Sequence, residues 1–301
     1  MSYRDINKSR DRGPREFKSH VVEKKGNIML VAKRDVISTH PMNSIKNVAK
    51  LMKENDFRRI PIVDAGTNQL KGLGVAIDIL DFLGGGEKYN IILKDYNGNF
   101  LSAINCPINK IMADAMFVEQ KSEVEDALEI MMEKNTSAIP VVDDVENKKV
   151  VAIVTERDIL PAGEEFGISV SEVMQTECIT SSLGMRLLDV SRVMVRNRLR
   201  RLPVIREDKL IGIVTVFDVL KFVGYGKFHK LKDSVDVDKT LSERVENIMA
   251  EEVVTVKKDQ DIAEVCNLIK ETGFGGFPVV EDDKLEGIIT TSDIIRKIYS
   301  E

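Results

Sequence analysis

The chain has 301 residues, a formal net charge of −5, and hydrophobic and charged fractions of 43% and 31%, which are typical of a folded protein with an extensive core. The acidic balance argues against a general nucleic-acid surface. Because no apolar stretch approaches ~18 residues, the sequence predicts no membrane span. Three cysteines and three histidines are scattered without the spacing of a disulfide framework or a metal site, so we expect reduced thiols in a cytoplasmic protein.

Residues 1–27 are predicted to form a flexible charged tail. Basic and acidic side chains alternate there without an apolar segment, so the tail matches neither a signal peptide nor a transit peptide. A segment that buries little apolar surface does not offset the entropy lost on ordering. We therefore expect the folded part of the chain to begin near Ile28.

The rest of the sequence repeats one pattern four times, in the order opening strand, helix, two strands and short helix. Each helix carries an apolar stripe at i, i+3, i+4 and i+7, which predicts one buried face. An aliphatic-Pro-aliphatic strand follows, and the next strand ends just before an aspartate. The opening strands are predicted at residues 36–38, 116–118, 178–180 and 253–255, and the stripes begin at Ile45, Val124, Leu187 and Ile262.

One copy is too small to bury a stable core, so the copies are expected to pack in pairs. Asp78 and Asp218 lie 140 residues apart, and Pro140 and Pro278 lie 138 apart, which indicates a duplicated two-copy module. An Arg-Arg pair precedes the proline only in copies one and three. The predicted repeats span residues 28–85, 108–163, 170–225 and 244–301.

The run Gly-Ile-Val-Thr-Val-Phe-Asp that ends at Asp218, after an aliphatic-Pro-aliphatic strand, resembles the CBS (cystathionine beta-synthase) domain. The resemblance covers residues 28–300. It implies an α/β (α+β) fold in which four βαββα repeats form two Bateman modules packed as a disc. Such a chain is similar to the gamma subunit of AMP-activated protein kinase and its prokaryotic stand-alone relatives, in which clefts bind adenine nucleotides around a basic central channel.

The Thr-x-x-Asp element that ends three of the copies has two interpretations. It is a capping box at a helix start whatever else it does. The resemblance also implies that the carboxylate accepts hydrogen bonds from the ribose hydroxyls and that the threonine contacts a phosphate. The first copy has Val75 in place of threonine and lacks that contact. The implied ribose-binding residues are Asp78, Asp158, Asp218 and Asp293, and the implied phosphate-binding threonines are Thr155, Thr215 and Thr290.

The two Arg-Arg pairs are further candidates for phosphate binding. Exposed basic pairs are commonly solvated surface, but guanidinium groups present paired donors that match phosphate oxygens. The resemblance implies that the pairs lie near the central channel, where the kinase gamma subunits have a His-Arg pair, so two arginines are a departure. The residues are Arg58, Arg59, Arg200 and Arg201. The sequence does not assign each arginine to a particular cleft.

The adenine ring needs an apolar slot, which the resemblance places at the opening strands and the proline strands. Residues at such positions would be apolar in any core, so the sequence alone does not separate the two roles. The predicted adenine-pocket residues are Ile37, Ser38, Phe117, Ile179, Thr180, Val254, Thr255, Pro61, Pro140, Pro203 and Pro278.

The sequence predicts a regulatory protein rather than an enzyme, with no cofactor, since it has no Walker lysine motif, metal-ligand cluster or nucleophile–base pair. We expect it to bind AMP, ADP or ATP, sense energy status and act in trans on a protein that the sequence does not identify. One alternative is another adenosyl ligand, S-adenosylmethionine or NAD; another is a scaffold or nucleic-acid-associated protein with vestigial clefts. A homodimer through flat faces also stays open. The scaffold alternative depends on the basic tail residues Arg4, Lys8, Arg10, Arg12, Arg15 and Lys18.

Overall fold

The computed structural model of the chain describes residues 26–163, 165–226 and 236–299. Most of the predicted charged tail, including all six of its basic candidates, and the last two residues of the fourth predicted repeat lie outside these ranges. The described residues form an α+β fold of four repeats. In the described ranges, no helix combines the length and the apolar character that crossing a membrane requires.

The first two repeats form the first module. Each contains a long helix, an antiparallel hairpin and a short helix, and two further helices connect them. The first repeat and the connection comprise α1 (Ile45–Glu54), β1 (Arg59–Val63), β2 (Leu70–Val75), α2 (Ala76–Leu80), α3 (Tyr89–Asp95) and α4 (Phe100–Ile104). The second repeat comprises β3 (Val118–Glu119), α5 (Val124–Glu133), β4 (Ala138–Val142), β5 (Val150–Thr155) and α6 (Glu156–Ile159).

The third and fourth repeats form the second module on the same plan. The third comprises α7 (Leu187–Arg196), β6 (Arg201–Arg206), β7 (Lys209–Thr215) and α8 (Val216–Gly224), followed by the short helix α9 (Val237–Thr240). The fourth comprises α10 (Ile262–Thr272), β8 (Gly276–Glu281), β9 (Lys284–Thr290) and α11 (Thr291–Tyr299). The two hairpins of this module join through one bridge between β7 and β9, Lys209 to Lys284.

The four long helices bury the predicted stripe in every copy. In α1, for example, Ile45, Val48, Ala49 and Met52 are fully buried, and the equivalent positions of α5, α7 and α10 are buried too. The exposed faces are polar. Each helix is stabilised because its apolar face is covered by the hairpin and by neighbouring helices. The stripe was therefore a correct guide to the core.

The opening strands are shorter than predicted. Of the four predicted opening strands, only the second contains a strand in the described residues, Val118–Glu119, and it pairs in parallel with β4. In the other three repeats the predicted segment is followed by a single parallel bridge to the proline strand, at Thr39, Ser181 and Val256. A single bridge uses few backbone N–H and C=O groups in hydrogen bonds to a sheet. The extended segments before it therefore keep groups that can face a ligand rather than a neighbouring strand.

Each repeat begins with a segment that crosses to the other repeat of its module. At the start of the first repeat, Lys33 forms a bridge to Ile153 of the second repeat. At the start of the second repeat, Ala113 forms a bridge to Leu73 of the first. The second module repeats this exchange, for example at Ala250 and Ile213. Each repeat therefore depends on a segment of its partner, and the two repeats of a module are interlocked.

The modules dock so that the first repeat packs on the third and the second packs on the fourth. In the first contact α1 and α2 lie against α7 and α8, and in the second α6 lies against α11. Each contact has its own hydrophobic core, and these two clusters hold most of the buried apolar residues. This docking brings the N-terminal ends of the four proline strands toward one central cavity.

Candidate functional site

A cavity of about 530 Å³ lies where the four repeats meet. The two residues that stand three and two positions before each proline line it in every repeat. These pairs are Arg58 and Arg59, Ser137 and Ala138, Arg200 and Arg201, and Gly275 and Gly276. The predicted arginine pairs therefore converge on one site, although they are about 140 residues apart in sequence.

The small residues of the even repeats accommodate arginines from the odd repeats. Arg59 donates a hydrogen bond to the Ser137 hydroxyl, and Arg201 Nη1 donates to the Gly275 carbonyl oxygen at 2.9 Å. A Cβ atom on Gly275 would lie 2.7 Å from Arg58 Nη1, so a larger residue there would force that guanidinium group to move. Arg59 and Arg201 thus reach into the partner repeat of their own module, and Arg58 reaches across to the other module.

These four arginines are called the arginine cluster below, and three of them lie in an environment that disfavours their charge. Burial lowers the pKa of Arg58, with Arg200 and Arg201 adding repulsion. Burial and Arg200 also lower the pKa of Arg59 to about 10 and that of Arg201 to about 10. At neutral pH Arg59 and Arg201 remain cationic, so the cavity holds concentrated positive charge that an anion would relieve.

One buried carboxylate lies within the arginine cluster. Glu156 is 8% exposed, and its Oε2 atom lies 3.9 Å from Arg200 Nη1. Its Oε1 atom accepts a hydrogen bond from the Ser292 hydroxyl at 2.7 Å, which joins the second repeat to the fourth. The adjacent Arg157 lines the cavity and donates to the Gly273 carbonyl oxygen.

The Thr-x-x-Asp elements form the expected helix caps. Thr155 Oγ1 donates to Asp158 Oδ2 at 2.6 Å, and Thr215 Oγ1 donates to Asp218 Oδ2 at 2.7 Å. In each case the threonine backbone N–H donates to the same oxygen. Thr290 and Asp293 repeat the arrangement. The cap engages Oδ2, which leaves Oδ1 oriented for other donors.

The Asp218 carboxylate is half-buried at the edge of the cavity. Burial raises its pKa, and the hydrogen bonds from Thr215 oppose that rise by stabilising the charged form. The equivalent Asp158 lies behind the cavity lining, and its Oδ1 atom is 3.2 Å from Lys33 Nζ. Asp293 Oδ1 accepts a hydrogen bond from Gln175 at 2.7 Å.

The first repeat differs because its aspartate pairs with a lysine in place of a threonine cap. Val75 offers no side-chain cap, and Asp78 Oδ1 accepts a hydrogen bond from Lys88 Nζ at 2.6 Å. The same ammonium group donates to the Ile111 carbonyl oxygen at 2.9 Å. The chain turns back at Gly84, whose φ of 114° favours glycine, and so brings Lys88 to this cleft.

Two clefts extend from the central cavity. In each, the Thr-x-x-Asp element of one repeat faces the opening segment of its module partner. The 155 cleft is lined by Lys33, Val36, Ile37, Ile153 and Thr155, and the 215 cleft by Lys53, Ile213, Thr215, Asp218, Val253 and Val254. Apolar walls therefore lie beside a helix cap in both clefts, and in the 215 cleft the Asp218 carboxylate is part of the lining as well.

The other module also contributes to each cleft. Lys53 and Phe57, from the end of α1 and the loop after it, line the cavity beside the 215 cleft, and Lys53 Nζ lies 5.5 Å from the centre of the Phe217 ring. On the other side Phe274, from the loop after α10, lines the cavity next to Gly273, the partner of Arg157. A molecule in either cleft would contact both modules.

The structure brings some of the predicted site residues together and not others. The predicted residues that line the cavity are Arg58, Arg59, Arg200, Arg201, Thr155, Thr215, Asp218, Ile37, Val254 and Pro278. The predicted residues that are not among its lining residues are Thr290, Asp78, Asp158, Asp293, Ser38, Phe117, Ile179, Thr180, Thr255, Pro61, Pro140 and Pro203. Pro61, Pro140 and Pro203 face the neighbouring strand of their hairpins, opposite Leu73, Ile153 and Ile213. Phe117 packs in a small separate cluster under the Lys148 side chain.

Several lining residues were not predicted. Glu156, Arg157 and Phe217 occupy the two variable positions of the Thr-x-x-Asp element, where the repeat pattern itself carries no information. Lys33 and Lys53 are single lysines in charged sequence, and only the docking of repeats identifies them. The signal that could have found Glu156 is its position, because the equivalent residues in the other repeats are uncharged.

Comparison with known proteins reveals relatives that cover nearly the whole chain. A family model described as the CBS domain matches residues 27–85, 108–165, 170–225 and 245–300. The uncharacterized protein MJ1225 of Methanocaldococcus jannaschii is 34% identical over 275 residues, which are 89% of this chain and 98% of that protein. An uncharacterized 33.4 kDa protein from the ribosomal RNA operon of Thermofilum pendens is 32% identical over 261 residues, 84% of this chain and 85% of that protein.

The structural comparison agrees with the sequence comparison. The crystal structure of MJ1225, which has been proposed as an archaeal homologue of γ-AMPK, superposes with a TM-score of 0.83 and 31% sequence identity. The match covers 90% of this chain and 99% of that one. The similarity therefore includes the docking of the two modules as well as the fold of one repeat.

Proposed function

Because this chain belongs to the CBS-domain family, we propose that it is a regulatory protein that binds AMP, ADP or ATP and acts on a separate partner protein. One observation carries the proposal: four arginines from two modules converge on a cavity that two Thr-x-x-Asp clefts enter. The similarity to MJ1225, itself proposed as a homologue of γ-AMPK, supports a role in sensing energy status.

The chemistry of the 215 cleft matches the parts of a nucleotide. The adenine ring lies against the apolar walls that Ile213, Val253 and Val254 provide. The ribose hydroxyls donate to Asp218, a carboxylate already oriented by its cap, and hydrogen bonds to such a charged acceptor contribute about 1.5–3 kcal/mol each. The phosphates extend toward the arginine cluster. The 155 cleft provides similar apolar walls, including Ile37, and the Thr155 cap, but its aspartate, Asp158, lies behind the lining and is paired with Lys33.

The arginine cluster supplies the difference between nucleotides that a sensor needs. AMP, ADP and ATP share adenine and ribose, so only their phosphates can favour one conformation over another. Arg58 and Arg59 belong to one module and Arg200 and Arg201 to the other. Phosphates that neutralise their mutual repulsion hold the modules together. Nucleotides with different phosphate counts do so to different degrees, and the partner protein responds to that difference.

The four clefts are not equivalent in this proposal. The 155 and 215 clefts open into the cavity and are the principal sites. In the first repeat, Lys88 uses both the Asp78 carboxylate and the Ile111 carbonyl group, so a nucleotide there must compete with it. S-adenosylmethionine fits the site less well, because it has no phosphate and its sulfonium charge is repelled by the arginine cluster.

Calorimetric titration with AMP, ADP, ATP, NAD and S-adenosylmethionine tests the proposal. We expect saturable binding of the adenine nucleotides with more than one molecule per chain. Asp218→Asn should remove one site, whereas Asp259→Asn, the same change at an exposed residue outside the cavity, should leave binding unchanged. If protein stripped of carried-over ligand binds none of the nucleotides while it remains folded, the proposal is wrong.

A further inference from the structure

The buried carboxylate at the centre of the arginine cluster has no structural task in its own helix. Glu156 is the first residue of α6, but the cap of that helix is formed by Thr155 and Asp158. The equivalent positions in the other repeats are Ala76, Val216 and Thr291, which are also buried and carry no charge. A charge at such a position destabilises the fold unless it is paired.

The pairing of Glu156 is loose on the side that faces the arginines. Its Oε2 atom is 3.9 Å from Arg200 Nη1, which is beyond hydrogen-bond distance. Only Oε1 is firmly held, by the Ser292 hydroxyl at 2.7 Å. The negative charge nevertheless acts on the whole cluster, because it opposes the lowering of the pKa of Arg58, Arg59 and Arg201.

We infer that Glu156 is a displaceable counter-ion of the arginine cluster and thereby sets how many phosphate charges the cavity accepts. This inference rests on the proposed function and deepens it. The carboxylate lies near the guanidinium groups that phosphates would contact, so an entering anion is repelled by it or displaces it. That penalty grows with the charge of the anion. Glu156 therefore disfavours polyphosphates relative to monophosphates, and its displacement breaks the Ser292 contact between the second and fourth repeats.

Replacing Glu156 by glutamine tests the inference with little change in shape. Glu156→Gln keeps an oxygen that accepts from Ser292 but removes the charge. We expect the variant to bind pyrophosphate and ATP roughly tenfold more tightly than the unmodified protein, with a smaller gain for AMP, as loss of one close charge repulsion predicts. Glu156→Asp, which keeps the charge, should retain the original preference. Glu129→Gln, the same change on the exposed face of α5, should change nothing.

A second variant keeps the inference testable if Glu156→Gln does not fold. Displacement of Glu156 must break its hydrogen bond to Ser292, so Ser292→Ala should also tighten pyrophosphate binding, by a few-fold. Unchanged or weaker binding of pyrophosphate and ATP in both folded variants would overturn the inference. Pyrophosphate contains no adenosine, so its binding tests the role of Glu156 separately from the proposed function. If the clefts bind no nucleotide, the proposed function is wrong, but the effect of Glu156 on pyrophosphate binding can still be measured.

Discussion

The ion pair between Lys88 and Asp78 makes the most direct structural prediction. The ammonium and carboxylate side chains are 28% and 19% exposed, and their atoms Nζ and Oδ1 are 2.6 Å apart. Lys88→Met keeps most of the packing but leaves a largely buried carboxylate without its donor. Such a loss costs about 1–3 kcal/mol, with partial solvation favouring the lower end. For a chain of this size, the melting temperature should fall by a few degrees.

The pH dependence of this loss has a definite sign. Burial raises the pKa of Asp78 above 3.8, and the hydrogen bond and charge of Lys88 oppose that rise. Without Lys88 the pKa rises further in the folded chain, so the folded state binds a proton that the unfolded state has already released. Stability of the variant therefore falls as the pH rises from about 4 through the folded pKa, and it recovers as the pH falls.

Denaturant unfolding of four proteins measures the effect: the unmodified chain, Lys88→Met, Asp78→Asn and the double variant, each at pH 7.5 and pH 4.5. We expect a large deficit for Lys88→Met at pH 7.5, a smaller one at pH 4.5, and a much smaller one when Asp78 is already asparagine. An equal deficit at both pH values, or additive effects in the double variant, would refute the reasoning. Titration of Lys88→Met with ATP should also give about one more site per chain, because two acceptors in the first cleft become available.

Four further predictions concern the cavity, the thiols and ATP hydrolysis. Gly276→Ala should lower stability by about 1–3 kcal/mol, because its Cβ would lie 2.6 Å from the Ile289 carbonyl oxygen and 2.9 Å from Thr290 Cα; an unchanged melting curve would contradict this packing. Arg201→Met should weaken ATP binding at least tenfold, since it removes one of the cationic groups that would contact phosphate; ATP binding as tight as that of the unmodified chain would argue against a binding role. Burial raises the pKa of Cys266 to about 12, so iodoacetamide at pH 8 should label the partly exposed Cys178 well before it, as peptide mass spectrometry can test. Finally, incubation with ATP should yield no hydrolysis product, since we predict a sensor rather than an enzyme.

The sequence predicted the parts of this molecule that depend on local periodicity. The buried face of α1 and the cap at Thr215 follow from spacing within a dozen residues, and fourfold recurrence made both easy to recognise. The convergence of Arg58 and Arg201 on one site was also anticipated, from the duplication together with the family resemblance. In each case the same local rule acts in every copy, so one observation is tested several times within the chain.

The remaining features depend on contacts that no repeat pattern encodes. The opening strands were predicted as sheet members because they are apolar and extended, but three of the four form only a single bridge, at the residue that follows the predicted segment. The pairing of Lys88 with Asp78 results from the turn at Gly84 after the repeat has ended. The lining role of Lys53 arises only when α1 docks beside the other module. These are tertiary effects, and propensity or spacing carries little information about them.

The odd repeats supply arginines and the even repeats supply small residues, so the site requires both kinds of repeat. Gly275 and Gly276 lie where Arg58 and Arg201 approach, and Ser137 accepts a hydrogen bond from Arg59. Arginines in all four repeats would compete for the same volume and add repulsion without a counter-charge. Small residues in all four would leave an anion site without cations. A pair made of one arginine repeat and one small-residue repeat meets both requirements, and its duplication places two such pairs around one cavity. The duplicated module is therefore the smallest assembly in which the arginine cluster, its counter-ion Glu156 and both clefts exist together.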